Sequence, residues 1–411
     1  MLETRQAAAT ARPSAPRRPS WRVVAVAMLL CGWGGNQFTP LLLMYRRLGG
    51  YSMLDVDAFL GAYVVGLVPG LLLAGPVSDR RGRRPVMVAG TAASALASLV
   101  LCFSGQSPWA IYAGRLITGV AVGIAMAVGS SWVKELASGE DAALPARRAS
   151  LCQTAGFALG AGVAGALAQW GPWPMVSPYV VHLLLTAAVP VLLLRVPETR
   201  TPGPHPDGRG VLASLLDDLR VPAPARRRFR LVVLPMAPWV FGAAGLAYAV
   251  MPQLVDTRVG EWGLAYATGL TVLMLGMGVA VQPAAKRLRG GRAPVAAMVV
   301  MLAGAALCVA GAVVLSPWLA AAAAAVLGAG YGIAVVSGLL EIQRMAGADD
   351  LAGLTGIYYM LAYAGFLLPA LLAGLSAWLT YPVMLAAVAC AALVCLAVVA
   401  TGVRVTARAG H

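Results

Sequence analysis

Pro108-Trp109-Ala110-Ile111-Tyr112-Ala113-Gly114-Arg115-Leu116-Ile117-Thr118-Gly119-Val120-Ala121-Val122-Gly123-Ile124-Ala125 holds one charge, Arg115, in an apolar run that continues to about residue 133. Roughly 20 such residues in a helix cross the hydrocarbon of a bilayer. The run has a counterpart. Moving 209 positions along the chain lays Pro108-Trp109 on Pro317-Trp318, Gly119 on Gly328, Gly123-Ile124-Ala125 on Gly332-Ile333-Ala334, Gly129 on Gly338 and Ala137 on Ala346. The same shift lays Pro85-Val86 on Pro294-Val295. A proline-tryptophan start followed by one glycine register marks two related halves.

Reading outward with the same window gives twelve spans, near 22–45, 57–78, 85–104, 108–133, 149–170, 174–195, 231–253, 263–285, 294–315, 317–340, 352–375 and 380–402. The expected fold class is an all-α membrane protein with twelve transmembrane helices in two pseudo-symmetric six-helix bundles. Composition agrees, since the 411 residues are 60% hydrophobic and 11% charged, against roughly a quarter charged in soluble domains. The expected organisation is a disordered cytoplasmic tail over 1–20, an N-terminal bundle over 21–196, a cytoplasmic linker over 197–230, a C-terminal bundle over 231–403 and a cytoplasmic tail over 404–411.

The net charge of +15 comes from 31 Lys+Arg and 16 Asp+Glu. With the N-terminus inside, every basic residue except Arg46, Arg47, Arg258 and Arg115 falls on the cytoplasmic side. The positive-inside rule therefore puts both termini in the cytoplasm and the chain in the cell's inner (plasma) membrane. The basic clusters sit between apolar runs and are not interleaved with aromatics, so nucleic acid is not an expected partner. Six cysteines, Cys31, Cys102, Cys152, Cys308, Cys390 and Cys395, lie in apolar runs without CxxC spacing and read as packing residues. The sequence has no GxxxxGK[ST] loop, catalytic triad or metal-ligand cluster, so neither an ATP-driven pump nor an enzyme is expected, and no cofactor or metal. The expected state is a monomer in the lipid bilayer acting on a small molecule.

Two motifs carry a resemblance. Gly75-Pro76-Val77-Ser78-Asp79-Arg80-Arg81-Gly82-Arg83-Arg84 closely resembles the G-x-L-A-D-R-x-G-R-R/K loop of the major facilitator superfamily. Gly114-Arg115 through Gly119 is similar to that superfamily's R-x-x-x-G motif, which is linked to proton coupling in its efflux members. The resemblance implies an alternating-access transporter of the drug/proton antiporter type. It makes Gly75, Asp79, Arg80, Gly82, Arg83 and Arg84 a conformational switch that meets the start of helix eleven at Asp349 and Asp350. The corresponding second-half loop, Gln282 to Arg292, lacks the aspartate. Helix five, with Gly156, Gly160, Gly162 and Gly165, resembles the glycine-rich helix of superfamily antiporters, with Ala161 where that motif has proline.

An arginine in a bilayer costs roughly 3 kcal/mol on insertion scales, so Arg115 needs a partner or a wet cavity. Depth counted at about 1.5 Å per residue places Asn36, Gln37 and Tyr63 level with it, as one proton or polar layer. Aromatic residues Trp239, Tyr248, Tyr331, Tyr359 and Tyr363 are the expected substrate cavity, apolar and uncharged, suited to a neutral or weakly cationic molecule. Glu341 and Arg344 share a helix face as an expected inner gate. His182 is the one histidine in a span and is read as structural. No carboxylate falls in the middle third of any span, which leaves Asp55, Asp57 and Glu341 as peripheral proton carriers. The expected function is secondary active transport, namely proton-coupled efflux of small hydrophobic or amphipathic molecules. A facilitator or importer of a neutral metabolite, and a transport-dead membrane sensor or scaffold, are the alternatives.

Overall fold

In lipid an apolar segment must satisfy its own backbone N–H and C=O groups, which a helix does. The structure, a computed structural model, describes residues 20–137, 143–200, 221–288, 291–346 and 351–408. Its elements are α1 (Trp21–Asn36, a 3-10 turn at Thr39–Leu41, then Leu42–Gly49), α2 (Met53–Arg81), α3 (Arg83–Leu101), α4 (Pro108–Leu136), α5 (Arg148–Trp170) and α6 (Ser177–Leu193). The second half follows with α7 (Ala223–Leu254), α8 (Asp256–Arg287), α9 (Arg292–Val314), α10 (Pro317–Met345), α11 (Gly353–Leu375) and α12 (Tyr381–Thr406).

Proline explains where these rods depart from straight spans. Pro40 and Pro190 cannot donate to the carbonyls of Asn36 and Thr186. Accordingly α1 breaks at Gln37, and α6 breaks between Thr186 and Val189. Helix α7 begins at Ala223, ahead of the expected 231. At the other end, α12 stays helical to Arg408.

All α1–α2, α3–α4, α5–α6, α7–α8, α9–α10 and α11–α12 turns lie at one end of the bundle, here termed the far end. The arginine-rich turns and both ends of the described chain lie at the other, the basic end. In the first half α2 packs on α4, α1 on α5, and α3 on both α4 and α6; in the second α10 meets α7, α8 and α9, and α9 meets α12. The seam between the halves runs through α5 against α8 and α2 against α11.

The repeat read from the sequence is a packing register. A Cβ on Gly119 would sit 2.1 Å from the Tyr63 carbonyl oxygen on α2, and one on Gly328 would sit 2.3 Å from the Met274 carbonyl oxygen on α8. Each glycine lets two backbones touch, at the same position in each half. The far-end core of the first half, including Phe38, Phe59 and Tyr179, is continuous with the core of the second half. Its basic-end core, around Met28, Trp132 and Leu193, is a separate cluster.

Candidate functional site

Arg115 is fully buried on α4. Its guanidinium carbon lies 4.5 Å from the centroid of Phe38 and 4.6 Å from that of Tyr63, so two ring faces hold the cation. Nη1 donates to the Gly35 carbonyl at 3.4 Å. Nε and Nη2 have no hydrogen-bond partner among the described residues. Beside it, Asn36 donates to the Phe157 carbonyl at 3.1 Å and accepts from the Thr39 hydroxyl at 2.7 Å.

These groups line a cavity of about 30 Å³ on the seam. Gly35, Asn36, Thr39, Leu60, Tyr63, Arg115 and Phe157 come from the first half; Phe241, Tyr248, Leu275, Tyr331, Tyr363 and Phe366 come from the second. Helix irregularities position the second-half wall. Pro252 leaves the Tyr248 carbonyl without its donor, and Tyr248 lies in a π-helical turn, Gly245–Val250. Pro369 does the same to Gly365, where a 3-10 turn carries Phe366. Phe241 stacks on Tyr363 at 4.1 Å and on Phe366 at 4.7 Å.

The structure thus merges two sites that the sequence reading kept apart. Arg115, Asn36 and Tyr63 share one cavity with Tyr248, Tyr331 and Tyr363. The expectation of an uncharged cavity is corrected, because a guanidinium is part of its wall. Gln37 is not in that layer. It donates to the Ser98 hydroxyl at 3.2 Å, which lies 2.6 Å from Nδ1 of His182, whose Nε2 lies 2.9 Å from the Leu30 carbonyl. A carbonyl only accepts, so Nε2 carries a proton and donates it to Leu30. Trp239 is half-buried on α7 away from the cavity. Tyr359 also lies off it, between Tyr358 at 5.5 Å and Tyr363 at 6.4 Å. Phe157, Phe241 and Phe366 were missed. A phenylalanine carries no polar atom to single it out, although Pro369, three residues on, marks the break that exposes Phe366.

At the basic end Arg83 is nearly buried and saturated. It reaches Glu135 on α4 through Nε at 3.1 Å and Nη2 at 2.9 Å, the Ser78 hydroxyl at 2.5 Å, and Asp79 at 2.9 Å. Asp79 also has Arg200 at 3.6 Å. Glu198 accepts from the backbone N–H groups of Arg83 at 2.8 Å and Arg84 at 2.9 Å, capping α3. Burial raises the pKa of Glu198, and the N–H groups of Arg84, Arg200, Arg83 and Thr199 outweigh that and hold it below the ordinary value. Gly82, at φ +97°, is needed, since a Cβ there would meet Glu198 at 2.5 Å. Gly75 sits inside α2, where a Cβ would meet nothing within 4 Å. Arg80 lies in the last turn of α2, and Arg84 reaches the Leu194 carbonyl at 3.4 Å. Asp349 and Asp350 lie outside the described residues. Glu135 and Glu198 were not singled out from sequence, because their partner is 52 and 115 positions away.

Glu341 is fully buried and joins Arg344 at 2.8 Å, as its spacing implied, and also Arg228 on α7 at 2.5 Å. Arg228 continues to the Thr406 hydroxyl at 3.2 Å. The group ties α7, α10 and α12 together inside one half.

A family model described as Major Facilitator Superfamily matches residues 22–369. The chain belongs to that superfamily. This Major Facilitator Superfamily chain is 35% identical to a gallate transporter of Pseudomonas putida over 124 residues, 29% of this chain and 26% of that protein. It is 29% identical to the 4-hydroxybenzoate transporter PcaK of Pseudomonas aeruginosa over 204 residues, 47% of this chain and 43% of that protein. To the multidrug resistance protein MdtL of Klebsiella pneumoniae it is 34% identical over 74 residues, 18% of this chain and 19% of that protein. The chain spans less than half the length of each of these relatives. In fold it is similar to a POT family transporter solved with 5-aminolevulinic acid, with TM-score 0.75 and 11% identity, over 93% of this chain and 95% of that one. The chain is a multi-pass membrane protein of that superfamily.

Proposed function

We propose that this transporter carries small aromatic carboxylates by alternating access, with its basic end in the cytoplasm. One observation carries the reading: a fully buried guanidinium, two of its nitrogens without a hydrogen-bond partner among the described residues, lines a cavity walled by aromatic rings. Buried charges in proteins are paired, and a planar carboxylate fits a guanidinium through two parallel hydrogen bonds. Asn36 and the tyrosines offer hydroxyl and amide partners for ring substituents, and Phe241, Tyr363 and Phe366 offer faces for the ring. Gallate and 4-hydroxybenzoate, named for two partial relatives, are hydroxylated benzoates that combine these features.

Calorimetry on the purified protein tests this with benzoate, 4-hydroxybenzoate and gallate against benzamide and tetraphenylphosphonium. The carboxylates bind, benzamide does not, and Arg115→Gln removes binding of the carboxylates. Equal binding of benzamide and benzoate overturns the reading.

The short match to MdtL and the apolar remainder of the wall favour a second reading, proton-driven efflux of small amphipathic molecules. On that reading tetraphenylphosphonium binds and benzoate does not. Flux in vesicles with an imposed proton gradient then gives direction and coupling.

A further inference from the structure

The far end of the seam is closed by polar contacts between the halves. Arg47 of α1 pairs with Asp256 of α8 and reaches the Gly260 carbonyl at 2.7 Å. Gln169 of α5 bonds the Ala265 N–H and the Glu261 carbonyl, each at 3.0 Å. These contacts are at least partly exposed. Below them is a buried one: Asp57 of α2, 1% exposed, and Gln253 of α7, 6% exposed.

The hydrogens of this contact do not suffice. The amide nitrogen of Gln253 donates to Asp57 Oδ1 at 3.2 Å and to the Ala249 carbonyl at 2.8 Å, which uses both of its hydrogens. Asp57 Oδ2 and Gln253 Oε1 are then both buried and both without a partner among the described residues. Each is an acceptor, so neither can serve the other. Turning the amide over does not help, since it would aim Oε1 at two acceptors. One added hydrogen on Oδ2 would supply the donor that this pair lacks, since a carboxylic acid can join a primary amide through one N–H···O and one O–H···O bond. Among the described residues no other donor reaches Oδ2, and the one cation whose charge is felt at Asp57, Arg46, makes no ion pair with it. Arg46 of α1 is half-buried with no ion pair to Asp57 within 4 Å, Arg47 is engaged by Asp256, and Asp55 caps the start of α2 through Ser52. Tyr381, at the head of α12, directs its hydroxyl to Met53. The last segment of α11 that packs on α2, Leu368–Leu375, has no titratable side chain; the tyrosines of α11 lie on its earlier segment, Leu351–Ala364.

We propose that Asp57 is a proton-binding site that latches the far end shut: the seam closes on a neutral Asp57 paired with Gln253, and opens when Asp57 ionises. The step balances. On closing, one proton from the water in the open seam forms the Oδ2–H bond; on opening that bond breaks and the proton returns to water as the carboxylate becomes hydrated. Acid therefore favours the closed far end. If only the closed state holds the proton, the closed-to-open ratio falls by up to about tenfold for each pH unit gained. The latch rests on the alternating-access part of the proposed function and is indifferent to which cargo is carried.

Spin labels on introduced cysteines at the exposed positions Trp109 and Trp318 report the far-end opening, in a background without the six native cysteines. These positions begin α4 and α10, one in each half. Electron–electron distances in lipid nanodiscs, with no substrate added, should be short at about pH 5 and shift to a longer population at about pH 8. Asp57→Asn keeps a neutral amide that can bond Gln253, and should stay short at both values. The infrared difference spectrum should show a protonated carboxyl band in acid that Asp57→Asn lacks. An unchanged distance across the pH range in the wild-type sequence, or a pH shift that survives in Asp57→Asn, overturns the latch. Because no cargo is present, failure of the aromatic-carboxylate reading leaves this result intact.

Discussion

The two halves share a backbone register and divide the chemistry. Arg115 on α4 corresponds by the repeat to Ala324 on α10, and both are fully buried. The first-half wall of the cavity brings a cation, an amide and two hydroxyls; the second-half wall is five aromatic rings, three of them tyrosines, and a leucine. At the basic end Arg83 corresponds to Arg292, yet Asp79 corresponds to Leu288, and the carboxylates that saturate Arg83 have no second-half copy. Symmetry here is kept where backbones touch and lost where side chains face the seam. The duplicated glycines fix the architecture, and the unequal walls fix what the cavity can recognise.

The largest expected effect comes from removing the charge from one wall. Arg115→Gln should weaken benzoate binding by about 2–5 kcal/mol, the range seen when one partner of a buried charge pair is truncated. Arg115→Lys should recover little, because a point charge cannot present a planar fork. Calorimetry reads both, and near-normal affinity in either variant would show that the halves do not differ in recognition.

The claim that the halves are alike in packing is tested next. Gly119→Val and Gly328→Val each drive a side chain into a facing backbone, at a cost of about 1–3 kcal/mol or more. Both should lower the melting temperature in detergent by similar amounts, whereas Gly162→Ala, with open space around its Cβ, should not. A large loss for one valine variant alone would break the equivalence.

Phe241→Ala removes the ring that stacks on both Tyr363 and Phe366. Affinity for the aromatic ring should fall by about 1–2 kcal/mol with folding intact. Equal affinity for benzoate and acetate in this variant would assign the ring preference to that wall.

Smaller effects belong to the basic end. Glu198 has its folded-state pKa lowered, so its stabilisation is present above the unfolded carboxylate range, near pH 4, and is lost as pH falls through the lower folded value. The melting-temperature gap between the unaltered protein and Glu198→Gln should therefore be open at neutral pH and close in acid. Asp79 is 43% exposed, so Asp79→Asn should cost less than about 1 kcal/mol and shift the conformational population by no more than about fivefold. A tenfold change in the far-end distance populations would restore a dominant role to this loop.

What the sequence made legible follows from what repeats and hydropathy encode. Length and apolarity located the spans, and the glycine register marked the two halves as related, a register that the structure uses for close packing of α4 and α10. Depth counting brought Arg115, Asn36 and Tyr63 to one level. It could not separate Asn36 from Gln37, because adjacent residues differ by little in height and by about 100° around the helix. The same ambiguity separated Trp239, off the cavity, from Phe241, on it. Rotation about the axis depends on packing and on proline breaks such as those before Pro252 and Pro369, and a single hydropathy window carries neither. Contacts such as Arg83 with Glu135 depend on how helices are arranged around the bundle, which spacing along the chain does not reveal.

The small cavity has a consequence for traffic. A space of about 30 Å³ holds two or three waters and no benzene ring. A cargo that fits only a roomier arrangement must prise Phe241, Tyr363 and Phe366 from the opposite wall, and part of its binding free energy goes into that separation. Phe241 stacks on Tyr363 and Phe366 across this space, and that stacking is what the separation breaks. On the proposed alternating-access reading, those rings would have to part before a cargo could cross the seam.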